Sequence, residues 1–164
     1  MKEPIDFVIT WVDGADEQWL KDKEKYTGND ISKDACRYRD WDLLRYWFRG
    51  VEKFAPWVNK IHFVTYGHLP VWLNTEHPKL NIVNHWDFIP YKYLPTFNSH
   101  TIELNLHRIK GLSDKFVYFN DDIFLTNYVE AEDFFVGDYA RDTLALEPLR
   151  FDSQSIAFID ANNI

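Results

Sequence analysis

The sequence predicts an α/β fold in which a largely parallel sheet is flanked by helices. Three observations carry that reading. Short runs of apolar, β-branched and aromatic residues recur along the chain, stretches with helical spacing of apolar residues separate them, and polar or acidic residues directly follow two of the runs. Several runs are apolar at consecutive positions, as a strand covered on both faces requires.

Ile5–Thr10 reads as the first strand and ends in Trp11-Val12-Asp13-Gly14. From about Arg39 to Phe54, the residues Trp41, Leu44, Tyr46, Phe48, Val51 and Phe54 give one broad apolar helical face, which Pro56 ends. Strands follow at Ile61–Tyr66 and Leu80–Val83. Ile102, Leu106 and Ile109 recur at helical spacing, with Ser99 or Thr101 available as the cap and Gly111 as the stop. Phe116–Phe119 is the fourth strand and runs into Asn120-Asp121-Asp122. The acidic, aromatic segment from Tyr128 to Asp142 is expected to hold a helix plus a loop, and Leu144–Leu146 is a weaker strand candidate.

A chain of 164 residues that is 46% hydrophobic can bury a core of its own, which argues against disorder. Its formal charge of -8, with no Lys/Arg run, repels nucleic-acid phosphates, so nucleic acid is excluded as a partner. The single cysteine, Cys36, cannot form an internal disulfide and suits a reducing compartment. No apolar run approaches the roughly 20 residues a membrane helix needs. A cytoplasmic chain without an integral membrane segment is the expectation.

In an open parallel sheet the ligand crevice lies at the carboxyl ends of the strands, so the residues after each strand should hold the chemistry. Asn120-Asp121-Asp122 sits at such an end. Two adjacent carboxylates in apolar company are costly without a cation, and Mg2+ or Mn2+ on Asp121 and Asp122 would neutralise them while bridging to a diphosphate. Neighbouring side chains on extended backbone point opposite ways, so only one of the pair is expected to touch the reacting phosphate. The plain alternative is an Asp-rich turn.

A second constellation is Asn98-Ser99 with Glu103 and His107. On one helix Glu103 and His107 would share a face, with Asn98 and Ser99 at an amino end that favours an anion. They would serve as base, proton carrier and phosphate cradle, or they form an exposed pair behind an ordinary cap. Third, Trp11, Asp13 and Gly14 offer a ring to stack a uridine base, a carboxylate for ribose hydroxyls and a close approach; equally, Trp11 is core and Asp13-Gly14 a turn. Arg39, with Arg37, Arg45 and Arg49, adds diphosphate partners or a solvated face. The histidines show no zinc spacing, and there is no phosphate-binding Gly-rich loop, nucleophile elbow or dinucleotide fingerprint.

Read together, Ile5 to Gly14, Arg37-Tyr38-Arg39-Asp40, Leu43-Leu44-Arg45-Tyr46, Ala55-Pro56-Trp57-Val58, Pro95 to Ser99, Ile102-Glu103, His107-Arg108-Ile109, Gly111-Leu112-Ser113 and Phe119 to Asp122 resemble the Stealth family. That family comprises bacterial capsular polysaccharide phosphotransferases and the catalytic subunit of the animal enzyme that tags lysosomal glycoproteins with N-acetylglucosamine-1-phosphate. The resemblance covers its first two conserved regions, roughly residues 5–125. It implies a glycosyltransferase-A-like, Rossmann-like nucleotide-sugar fold and hexose-1-phosphate transfer from a UDP-sugar to a polysaccharide or lipid-linked glycan. It also implies divalent-metal dependence, essential roles for Glu103 and Asp122 with Asp121 and Asn120 beside them, and a nucleotide near Trp11, Asp13 and Gly14.

Family members continue into two further conserved regions. The expectation is therefore one catalytic-type domain over residues 1–164 that lacks those later parts. A capsule-building role would bring the protein to the inner membrane face through its substrate. Two other readings compete: a metal-dependent glycosyltransferase on the same fold, and a catalytically silent nucleotide-sugar or carbohydrate-binding module. Neither the sugar nor an oligomeric state is written in these residues.

Overall fold

A computed structural model describes residues 3–27 and 41–141 of the chain. Four parallel strands, β1 (Ile5–Thr10), β2 (Ile61–Thr65), β3 (Leu80–Asn84) and β4 (Lys115–Phe119), form one sheet in the order β3-β2-β1-β4. The four strongest strand expectations hold to within a residue at each end. Leu144–Leu146, the fifth, lies outside the described residues.

Strand alternation sorts the side chains into two faces. Phe7, Ile9 and Phe63 on one face are fully buried; Phe7 meets Trp57 edge-on and Phe119 at a tilt, while Trp47 meets Phe119 and Phe48 meets Phe63 edge-on. Trp47 and Phe48 belong to α2 (Leu44–Phe54), whose Leu44, Trp47, Gly50 and Val51 recur at helical spacing and are buried. The opposite face carries Val8, Val64 and Val83, covered by Phe88, Ile89, Leu106 and Ile109. Both faces of the sheet are thus covered, as the consecutive apolar positions require.

Three expectations need correction. The helix placed from about Arg39 begins only at Leu44, because Asp42 adopts a left-handed φ of 56°, which an aspartate tolerates but a continuing helix does not. Trp41 stands outside the helix and is 69% exposed; Arg39 is outside the described residues. The helix through Ile102, Leu106 and Ile109 is broken into α4 (Ser99–Glu103) and a 3-10 turn (Leu106–Arg108). The cause is Asn105: its side chain donates to the Thr101 carbonyl at 2.8 Å, the acceptor its own backbone N–H would take in a continuing helix, and that N–H goes to Ile102 instead. Finally, Ala131–Phe134 (α5) is a single helical turn, followed by a two-stranded hairpin, β5 (Phe135–Val136) and β6 (Tyr139–Ala140), turning at Gly137 with a φ of 60°.

Two helices were not foreseen. α1 (Glu17–Thr27) is mostly charged but starts on a clear cap, the Asp16 carboxylate accepting from Trp19 N–H at 2.7 Å, and it buries Trp19. α3 (His85–Phe88) is one turn closed by an Asn84–Asp87 capping box. Contacts divide the chain into two compact units, Met1–Ala131 and Glu132–Ile164, and the sheet belongs wholly to the first. Among the described residues no helix is long and apolar enough to cross a membrane.

The face that carries Val8 is polar at both ends. At the amino end the Asp6 carboxylate, fully buried, accepts four hydrogen bonds: from Asn59 Nδ2 (2.8 Å), Lys60 N–H (3.0 Å), His62 Nε2 (3.1 Å) and Ser113 N–H (2.8 Å). Burial alone pushes this carboxyl up, yet the donors from Asn59, Ser113 and His62 outweigh it and hold it below the ordinary aspartate value. Asn81 Nδ2 lies 2.9 Å from His62 Nδ1, so one polar line crosses β1, β2 and β3.

Candidate active site

The chain order reverses between β1 and β4, since β2 and β3 extend the sheet one way and β4 is added on the other side of β1. That switch point is where the carboxyl ends of an open parallel sheet leave a crevice. Thr10 closes β1 there and Asn120 follows β4. Between them stands Tyr118, on the same face of β4 as Asn120 two positions later. Its hydroxyl lies 3.1 Å from Thr10 Oγ1, 2.8 Å from Asn120 Oδ1 and 3.4 Å from Glu103 Oε1. Burial first, then the charges of Glu103 and Asp121, push this phenol up to about 12, against an opposing hydrogen bond from Thr10.

Thr10, Glu103 and Asn120 are therefore gathered around one hydroxyl, and the charge of Asp121 is felt there. Glu103 is one-third exposed, with Oε2 3.7 Å from His100 Nδ1. Asp121 and Asp122 are exposed in the turn after β4. His107 does not share a helix face with Glu103, because α4 ends at Glu103 and His107 sits, exposed, in the 3-10 turn. The partner on Glu103's own helix is His100 instead.

Asn98 is the cap of α4, its side chain accepting from His100 N–H at 2.9 Å, and Ser99 is the first residue of that helix. A helix of five residues has little dipole to offer an anion. Trp11 is 8% exposed, stacked on Phe63 and edge-on to His68, so its ring is part of the core rather than a free stacking surface. Asp13 and Gly14 form the turn after β1: Asp13 Oδ1 accepts from Ala15 N–H at 2.8 Å and its carbonyl from Asp16 N–H at 3.1 Å.

Beside that turn, over the carboxyl ends of β1, β2 and β3, opens a cavity of about 620 Å³ walled by Tyr66, His68, His85 and Trp86 and edged by Asp16 and Asp22. This volume is ordinary for a small-molecule site. Among the described residues no lysine or arginine lines it. His68 Nε2 accepts the Asp13 backbone N–H at 2.7 Å, which requires a neutral ring, and burial lowers its basicity further against the opposing pull of Asp16 and Asp13. Burial lowers His85 to about 4, and among the described residues its Nδ1 has no hydrogen-bond partner. Tyr66 donates to Asp22 Oδ2 at 3.0 Å, and burial together with that carboxylate raises it to about 12.

The cavity thus presents flat rings, neutral imidazoles and hydroxyl-accepting carboxylates. Tyr118 and this cavity were both missed from the sequence. Tyr118 was hidden inside an apolar strand run, although its two-residue spacing from Asn120 already put the two side chains on one face. His68 and His85 each follow a strand, as the crevice rule asks.

Among the described residues no three His, Cys, Asp or Glu side chains stand close enough to hold a metal alone. Mg2+ is commonly held by one or two carboxylates plus phosphate and water oxygens; Asp121 and Asp122 would be those carboxylates here, although their exposure removes the burial cost that pointed to a cation in the sequence.

Sequence comparison decides the family. The model for Stealth protein conserved region 1 matches residues 3–30, and that for conserved region 2 matches residues 37–143, more than half of the chain. The chain belongs to the Stealth family. Its relatives include the capsular polysaccharide phosphotransferase WcwK of Streptococcus pneumoniae, 50% identical over all of this chain and half of that protein. The exopolysaccharide phosphotransferase cps2G of Lactiplantibacillus plantarum is 42% identical over 98% of this chain and 48% of its own length. The capsular polysaccharide phosphotransferase eps5J of Streptococcus thermophilus is 50% identical over 82% of this chain and 58% of its own. This Stealth chain spans about half the length of the curated relatives it matches.

Proposed function

We propose that the protein transfers hexose-1-phosphate from a UDP-sugar to a hydroxyl of a polysaccharide or lipid-linked glycan and releases UMP. The observation that supports this reading is the convergence of Glu103 and Asn120 on the Tyr118 hydroxyl at the β1/β4 switch point, next to Asp121 and Asp122 in the turn after β4. The phosphotransferase names of the relatives support it. The acceptor oxygen attacks the β-phosphorus, the bond between that phosphorus and the bridging oxygen breaks, and the bridging oxygen leaves with UMP. The acceptor's proton passes to the Glu103 carboxylate, a base that stays solvent-accessible.

Asp121 and Asp122 would hold Mg2+ or Mn2+, which offsets charge on the diphosphate. The nucleoside occupies the aromatic cavity: it is uncharged, it stacks on rings, and its ribose hydroxyls find Asp16 or Asp22, whereas a phosphate there would face those same carboxylates. The diphosphate then extends over the Asp13-Gly14 turn toward Asp121. The protein acts in the cytoplasm, where UDP-sugars are made.

Incubating the purified protein with a UDP-sugar, Mg2+ and a glycan acceptor tests this. UMP is the expected product, and Glu103→Ala or Asp122→Ala abolishes it. Release of UDP would mean that the glycosidic bond is broken and the enzyme is a glycosyltransferase; binding with no product would leave a sugar-nucleotide-binding module.

A further inference from the structure

We propose that Tyr118 is a positioning residue for this reaction, its hydroxyl holding the Glu103 carboxylate and the Asn120 amide in register across the mouth between β1 and β4. The inference rests on the reading of Glu103 as the base. A phenol has one hydrogen to give, and three oxygens surround this one. Thr10 has a hydroxyl hydrogen of its own and can donate to the phenol oxygen, which leaves the phenol hydrogen for Asn120 Oδ1 at 2.8 Å or Glu103 Oε1 at 3.4 Å.

Asn120 Oδ1 at 2.8 Å is the nearer acceptor and Glu103 Oε1 at 3.4 Å the farther, so the hydrogen favours Asn120. A turn about the phenol C–O bond delivers it to Glu103, with both side chains kept within reach of one point. Asn120 and Glu103 come from different elements, the turn after β4 and the end of α4, and the 3-10 break at Asn105 lies just beyond Glu103. The phenol thus links the end of α4 to the sheet. Its raised proton affinity keeps it a donor throughout the neutral range. The ring itself packs against the apolar cluster of the Val8 face, a role that phenylalanine can fill.

Tyr118→Phe separates the two contributions. Its unfolding midpoint is expected to stay close to the parent's, while kcat falls on the order of 10- to 100-fold with KM for the UDP-sugar changed by less than about twofold. Should the variant unfold, Thr10→Val interrupts the same chain from the other side and is expected to lower kcat in the same direction. On the residual single-turnover rate of Glu103→Gln, Tyr118→Phe is expected to cost nothing further, since it acts through the missing base.

An unchanged kcat in Tyr118→Phe, with Glu103→Gln strongly impaired, overturns the role of Tyr118 and leaves the function standing. An equal loss from Tyr118→Phe with or without Glu103 overturns it too, because the hydroxyl then acts elsewhere. Full activity in Glu103→Gln instead removes the base on which the inference rests.

Discussion

His68 Nε2 accepts the backbone N–H of Asp13 at 2.7 Å, and this one bond ties the turn after β1 to the loop after β2. A protonated imidazole would set two donors against each other. His68→Ala frees Asp13 and is expected to weaken UDP binding by roughly tenfold, about 1.4 kcal/mol, in calorimetry. Unchanged affinity would show that the turn needs no such tie.

His85 gives the fold a pH dependence. Its folded value is near 4, below the ordinary 6.5, so between these the unfolded chain binds a proton that the folded one does not. Stability is therefore complete above about pH 6.5 and falls as the pH drops toward 4, by on the order of 3 kcal/mol. Urea unfolding at several pH values should show this fall, and His85→Gln should flatten it.

Asp6→Asn is expected to lower stability by about 3 kcal/mol, because an amide puts N–H groups where the carboxylate accepts from Ser113 and His62. The wild-type contribution is present above the ordinary aspartate value and lost as acid titrates the depressed carboxyl. Thermal unfolding of the variant at neutral pH checks the first statement. Parallel acid titrations of both proteins check the second.

Gly67 lines the aromatic cavity with a φ of 126°, and a Cβ there would meet the Trp86 ring at 2.8 Å. Gly67→Ala is expected to cost on the order of 1–3 kcal/mol and to displace Trp86. Uridine affinity, read by calorimetry, then falls together with UDP affinity. Uridine binding that ignores the substitution would remove the nucleoside from this cavity.

Metal should matter for the diphosphate and not for the nucleoside. Chelation is expected to weaken UDP at least about tenfold while uridine is unaffected, and Asp122→Asn should reduce the gain that Mg2+ brings. Equal metal dependence of both ligands would place the cation elsewhere.

The strands were legible because burial on both faces leaves an unbroken apolar signature, as in Ile5–Thr10 and Lys115–Phe119. The acidic turn after β4 followed from the same logic, since only strand ends are open to solvent. What failed was helical continuity past Glu103. The spacing of Ile102, Leu106 and Ile109 correctly marked core residues, but one asparagine side chain capturing a carbonyl changed the backbone beneath them. His107 consequently parts from Glu103, and Tyr118 supplies the tie that no one-dimensional spacing announces. α1 escaped notice for a different reason: Trp19 and Lys23 are buried, but the rest of its sequence is too charged for an apolar stripe to stand out.

The line from Asp6 through His62 to Asn81 fastens the sheet along its amino edge, far from the rim where Asn120, His68 and His85 emerge. Anchorage and recognition are thus separated along each strand. Substitutions of Asn120 or His68 at the rim therefore leave the Asp6 network itself intact.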